Sequence, residues 1–274
     1  MRTLLAVRAP LVFLPSLLAA SAVVLAAAEL THEASRAYDG YLRGARDAFV
    51  ARASGADAPL DAGVRAALRN GSVLGRPGHG DGITSVPNAL VHHWLGAVFI
   101  ERVSLAQVLQ VSQAYADYPD IFEPVVAARV LARTGDTFQL LTRVREAAGG
   151  LSATLEVRST VHYTRVDDRR AYAVSVSEEI REVRNPGRPG ETWLPAGQDS
   201  GYLWRAATFT RFVEAEGGVY MEVETVGLSR RFPPMLGWLI EPIARRIGRK
   251  SVAESADRFR AAVRARVESG DPDP

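Results

Sequence analysis

Two glutamates, Glu222 and Glu224, stand two residues apart in a stretch where polar and apolar residues alternate. In a strand that spacing puts both carboxylates on one face, as a general acid–base pair requires. Arg211 of the preceding stretch falls on the same face, and a solvated row of cross-strand ion pairs is the simpler reading. His92 and His93 are adjacent, so in a strand they point to opposite faces and do not ligate one metal together. Either histidine alone is a polar group for a pocket. Residues 71–82 are glycine-rich, with Arg76-Pro77-Gly78-His79-Gly80-Asp81-Gly82, yet they lack the Gly-Lys-Ser/Thr ending of a phosphate-binding loop. No Gly-x-Ser-x-Gly elbow of a hydrolase is present. These residues assign no catalytic group, no metal site and no cofactor, and they favour a binding protein over an enzyme.

The composition agrees with a globular chain: of 274 residues, 47% are hydrophobic and 23% charged. The net charge is +2, and Lys250 is the single lysine. Arginine alternates with acidic residues along most segments, so there is no basic stripe for a nucleic acid. Cysteine is absent, which excludes disulfides, thiolate metal sites and a lipidated N-terminal cysteine. Arg2 and Arg8 flank the start of an uncharged run over 9–28 that ends in Ala26-Ala27-Ala28, the pattern of a secretory signal. The competing reading is an uncleaved anchor, since about 20 uncharged residues span a bilayer. Either way the remainder is expected outside the cytoplasm, in the periplasm, envelope or medium, with membrane association through 9–28 in the anchored case.

The elements that must position any site follow from periodicity. Tyr38, Leu42, Ala45 and Phe49 recur at helical spacing within a helical segment over 29–70. Residues 71–88 read as a Gly-rich linker. A strand is expected from Ala89 to Arg102, and Ser104 with Gln107 forms a capping box that starts a helix. A short helix covers Tyr118–Phe122. From Val125 the period changes to two, giving three hairpins with turns at Thr134-Gly135-Asp136, Asp167-Asp168 and Gly217-Gly218. A second capping box, Ser251 to Glu254, is expected to start the final helix, whose stripe is Val252, Ala256, Phe259 and Val263. Residues 269–274 read as a disordered tail.

Turn positions then set register and faces. Pairing Glu216 with Val219 puts Arg205, Phe209, Arg211, Glu222, Glu224 and Arg230 on a solvated face, and Trp204, Thr208, Thr210, Phe212, Met221, Val223 and Thr225 on a concave one. Pairing Val166 with Arg169 puts Tyr163 opposite Tyr172. In the first hairpin the apolar sets are Val126, Ala128 and Val130, then Phe138, Leu140 and Val144.

The order strand, two helices, six strands, long C-terminal helix resembles the START-like (SRPBCC, helix-grip) superfamily over about Asn88–Val267. Local patterns agree: His92-His93-Trp94 with Gly96, Tyr118-Pro119, Gly201-Tyr202-Leu203-Trp204-Arg205, and Gly218 to Glu224 before Leu228-Ser229-Arg230. Together these resemble exported bacterial members of unassigned activity. The resemblance implies an α+β fold, with a curved antiparallel sheet of about seven strands around the C-terminal helix, and a domain over 89–268. It implies a ligand cavity but no reaction, because this superfamily hosts lipid carriers, hormone receptors and cyclases. The expected cavity wall is Trp94, Phe138, Tyr163, Tyr172, Trp204, Thr208, Phe212 and Met221, and the expected partner is a hydrophobic small molecule or lipid. The alternatives are a cyclase- or hydrolase-like enzyme using the same cavity, and an envelope-associated interaction platform without ligand.

Overall fold

The computed structural model describes residues 29–55, 60–148, 151–195, 197–231 and 237–270. The proposed signal or anchor, residues 1–28, lies outside the described residues. None of the described helices is long and apolar enough to cross a membrane.

The chain begins with α1 (His32–Ser54) and α2 (Ala62–Arg69). Thr31 caps α1 by accepting from the Ala34 N–H at 3.1 Å, and Asp61 caps α2 in the same way from Val64 at 2.9 Å. Short strands β1 (Leu74–Pro77) and β2 (Ile83–Val86) follow, both paired with β3 (Ala89–Glu101). The segment read as a linker is thus part of the sheet. Its glycines permit close approach: a methyl group on Gly75 would meet the Ala253 side chain at 2.9 Å, and one on Gly78 would collide with the His93 ring.

The expected capping box is present at the start of α3 (Leu105–Gln113). Gln107 N–H donates to Ser104 Oγ at 3.3 Å, and Ser104 N–H donates to Gln107 Oε1 at 2.9 Å. A single 3-10 turn (Tyr115–Asp117) leads into α4 (Tyr118–Ile121). The remaining strands are β4 (Val125–Thr134), β5 (Thr137–Ala148), β6 (Leu151–Asp167), β7 (Arg170–Arg184), the two-residue β8 (Thr192–Trp193), β9 (Arg205–Ala215) and β10 (Gly218–Arg230). The final helix is α5 (Gly237–Glu268). It does not start at Ser251, which sits mid-helix. Pro242 lies inside this helix, past its first turn, and so removes one N–H from the hydrogen-bond ladder.

The sheet is antiparallel, in the order β1-β3-β10-β9-β7-β6-β5-β4, with β2 beside β3 and β8 beside β7. It has ten strands, against the expected seven or so, because β1, β2 and β8 are short additions. Its concave side carries α5 and α3. Val98, Ile100, Phe138, Leu140, Val161, Tyr163, Phe212 and Met221 pack there against Val108, Val111, Tyr115, Ala256, Phe259 and Val263.

The convex side is also covered. Ala34, Tyr38, Phe49 and Ala53 of α1 pack on Ala89, Val91, Ala207, Phe209, Val226 and Leu228. Phe49 stacks on Phe209 at 5.2 Å, and the Tyr38 hydroxyl donates to the Val226 carbonyl at 2.9 Å. Burying aromatic groups of this size is worth about 2–3 kcal/mol each. Enclosure from both sides explains why β3 is apolar on both faces.

Two hairpins differ from the expected register. In β9–β10 the turn residues are Glu216 (φ 54°) and Gly217 (φ 81°), and Ala215 pairs with Gly218. Both central residues have positive φ, as a type I′ turn requires. Gly218 serves instead where β10 passes the β3 backbone, for a methyl there would collide with the Ile100 carbonyl. Moving the turn by one residue changes each partner by two, so every side chain keeps its face, and Arg211 opposes Glu222 rather than Glu224. In β6–β7, Val166 is an extra residue between the Arg165–Ala171 and Asp167–Arg170 pairs. This bulge slips the register by one and reverses the faces of β7. Tyr163 therefore opposes Ala173, and Tyr172, Val174 and Val176 point to the convex side. At the free edge, β4 carries bulges at Val126 and Leu131, and Val126 and Val130 are 42% and 44% exposed, so the apolar set expected in the core opens to solvent.

Candidate functional site: the concave face

Side chains two apart along a strand share a face, so the concave floor can be followed in rows across the sheet. The first row is Ala171, Phe212, Met221 and Val98; the second is Tyr163, Ala173, Thr210, Val223 and Gly96. The third is Phe138, Val161, Ser175, Thr208, Thr225 and Trp94. The first row is closed by Phe259 and Val263 of α5 and by α3. Its polar edge is satisfied: the Tyr163 hydroxyl donates to the Ser112 carbonyl at 2.9 Å and lies 3.0 Å from the Tyr115 hydroxyl. Burial pushes the Tyr163 phenol upward, so it stays protonated at neutral pH.

Within the second and third rows the packing loosens at the centre of the face. Ser175, Thr208, Thr210, Thr225 and Val223 are only half-buried, as are Thr142, Val157 and Ile180 further along the same face. At the β3 end the floor is closed by Trp94, which is held so tightly that a methyl group on Gly82 or Gly248 would collide with its indole. Next to it His92 Nε2 lies 2.8 Å from Ser229 Oγ. Burial lowers the His92 pKa to about 4, so the ring is neutral at pH 7 and a weak base.

Of the eight expected wall residues, Phe138, Tyr163, Phe212 and Met221 meet in the concave core, and Trp94 and Thr208 lie on the same face. Tyr172 and Trp204 do not. The bulge at Val166 turns Tyr172 outward, where it packs edge-on against Phe49 at 6.0 Å. Trp204 precedes the regular part of β9 and packs with the convex cluster, its indole N–H donating to Asp199 at 2.9 Å.

The face expected to be solvated is instead covered. Arg211, Glu222 and Glu224 share a face as expected, but α1 and its flanks cover it, leaving them 4%, 6% and 4% exposed. Glu224 takes a hydrogen bond from Arg52 of α1 and lies 3.2 Å from His93 Nε2. His93 Nδ1 is 3.0 Å from the Tyr41 hydroxyl of α1. Burial pushes the Glu224 carboxyl up, but His93 and Arg52 outweigh it and hold the carboxyl below its usual range. Glu222 is 3.6 Å from Arg211 and its Oε1 makes no hydrogen bond among the described residues; burial raises its pKa to about 7 despite Arg211. The two carboxylates thus have separated pKa values, as an acid–base pair would. They lie, however, under a helix and on the opposite side of the sheet from the half-buried Thr208 and its neighbours. Among the described residues, no cluster of His, Asp or Glu could hold a metal.

No family model and no curated protein matches the chain. Solved structures do. A STAR-related lipid transfer protein from Xanthomonas axonopodis matches at 14% identity and TM-score 0.46, over 67% of this chain and 99% of its own. Human STARD10 matches at 10% identity and TM-score 0.44, over 78% and 86%. The Zhui aromatase/cyclase from Streptomyces sp. R1128 matches at 13% identity and TM-score 0.44, over 67% and 99%. The strand order of the sheet and the placement of α5 against its concave face make this a helix-grip fold.

Proposed function

We propose that this is an exported protein that binds and carries an apolar small molecule or lipid on the concave floor beside α5. The observation behind the binding reading is the change in packing along one face. One end is filled by α3, Phe259 and Val263, whereas Ser175, Thr208, Thr210, Val223 and Thr225 form a half-buried patch between the buried Phe138 and Val161 on one side and Trp94 on the other. A largely apolar concavity with a few polar groups suits a ligand site. A reaction in the same site has only the His92–Ser229 contact behind it, and a histidine whose pKa has fallen to about 4 is too weak a base to activate a serine.

Protein purified without detergent, sprayed in native mass spectrometry, is expected to show an excess mass that is released on denaturation and recovered by organic extraction. A bare mass, together with no uptake of a neutral apolar dye such as Nile red, would overturn the carrier reading and leave the platform reading. Export rests on Arg2, Arg8 and the uncharged run ending at Ala28. N-terminal sequencing of envelope or secreted protein is expected to begin near Glu29. A full-length chain in the membrane fraction selects the anchor, and recovery from the cytoplasm overturns export.

A further inference from the structure

The two edges of the sheet end differently. On the β3 side the edge is made of β1 and β2, four residues each, and Pro77 closes β1. Short strands and a missing donor protect that edge from pairing. The other edge is β4, ten residues from Val125 to Thr134, with no proline and no strand beyond it among the described residues. All of its residues except Val125 and Ala128 are exposed, and Val126, Val130 and Leu131 are among them. Bulges are one device that spoils an edge. Here the two bulges bracket a regular run, Ala127 to Val130, which pairs residue for residue with Leu140 to Arg143. The residues at the bulges are apolar, where a protected edge would carry charge.

The sequence of this edge is complementary to its own reverse. Ala128 lies midway between Val126 and Val130, and midway between Glu123 and Arg133. In an antiparallel pair with a two-fold axis at Ala128, Val126 of each copy faces Val130 of the other, and Glu123 faces Arg133. Ala128 and Val130 lie on the concave face, opposite Thr142 and Leu140. Both end groups lie to that side as well: Glu123 accepts from Arg258 of α5, and the Arg133 guanidinium stands over the Phe138 ring. Arg129 pairs with Leu141 and belongs to the other face, where it would meet Ala127 of the copy. Moving the axis to Arg129 would set two arginines face to face, and moving it to Val130 would set Arg133 against Ala127, so charge selects the first register.

We propose that β4 is a dimerisation edge, at which two copies of this chain pair antiparallel about Ala128 into one continuous sheet. One strand of this length makes a contact about 34 Å long, small for a permanent interface, so association is expected in the micromolar range rather than the nanomolar.

In analytical ultracentrifugation, the average mass of the purified protein is expected to rise toward twice the monomer's over about 1–500 µM. Val130→Lys, at an exposed position, should keep its fold and stay monomeric over the same range. The register is read by cross-linking, since the chain has no cysteine of its own. The axis brings the two 128 positions to about 5 Å, within disulfide reach, and holds the two 134 positions about 40 Å apart, so under mild oxidation Ala128→Cys should dimerise at least about tenfold faster than Thr134→Cys. A parent that stays monomeric over the whole range overturns the proposal. So does a dimer that survives Val130→Lys, or cross-linking at Ala128→Cys no faster than at Thr134→Cys.

Discussion

Replacing Glu222 by glutamine is expected to make the protein about 2 kcal/mol less stable at pH 4.5 than at pH 6.5, relative to the parent's own change, and His92→Asn is expected to do the opposite. Folding raises the Glu222 pKa from 4.5 to about 7. Between those values the folded chain holds a proton that the unfolded chain has released, so stability falls as pH rises through the window. Folding lowers the His92 pKa from 6.5 to about 4. There the unfolded chain holds the extra proton, so stability rises with pH. Each slope reaches at most about 1.4 kcal/mol per pH unit and flattens toward the ends of the window, and between pH 4.5 and 6.5 the two oppose each other. The parent therefore carries two large terms that cancel, and each single variant exposes the other. Glu224, whose carboxyl is held low, contributes only toward and below pH 4.5 and does so in all three proteins. Urea unfolding at the two pH values is the measurement. The same pH dependence in all three proteins would mean that neither group is buried as described.

How far a sequence shows such a site depends on the physics of each step. In β9–β10, two glycines leave the turn ambiguous by one residue, yet a one-residue change in the turn preserves faces, so Phe212, Met221 and Thr208 are legible. In β6–β7 a bulged valine looks like any other strand residue, yet it reverses β7, and Tyr172 is lost to the convex side. The burial of Arg211, Glu222 and Glu224 was hidden for a different reason. The charges read as a solvated row because their cover, α1, comes from far upstream, with Arg52 and Tyr41 supplying the contacts. A signal was available: Phe209, Val226 and Leu228 lie on that same face, and an apolar stripe on α1 had no other surface to cover. The Ser251 capping box failed because a Ser-x-x-Glu pattern also fits the exposed side of a continuous helix.

The contrast between the two ends of the concave face gives the second expected result, a pair of tryptophan substitutions with opposite consequences. Ala173 and Thr208 lie on neighbouring strands of the same floor, in adjacent rows. Ala173 is buried in the cluster that also holds Tyr163 and Phe212. Tryptophan there must displace packed neighbours, and about 1–3 kcal/mol or more of stability should be lost. Thr208 is half-buried between Ser175 and Thr225, with its hydroxyl unbonded among the described residues. If the half-buried patch is a guest site, tryptophan there fills it, so stability should stay within about 1 kcal/mol of the parent, while Nile red binding falls by about tenfold or more. Urea unfolding and dye titration of the two variants separate the outcomes. Equal destabilisation by both substitutions, with no dye bound by the parent, would mean that the concave face is packed from end to end. The fold would then serve as a platform, and Ser175, Thr208 and Thr225 would line a closed core rather than receive a guest.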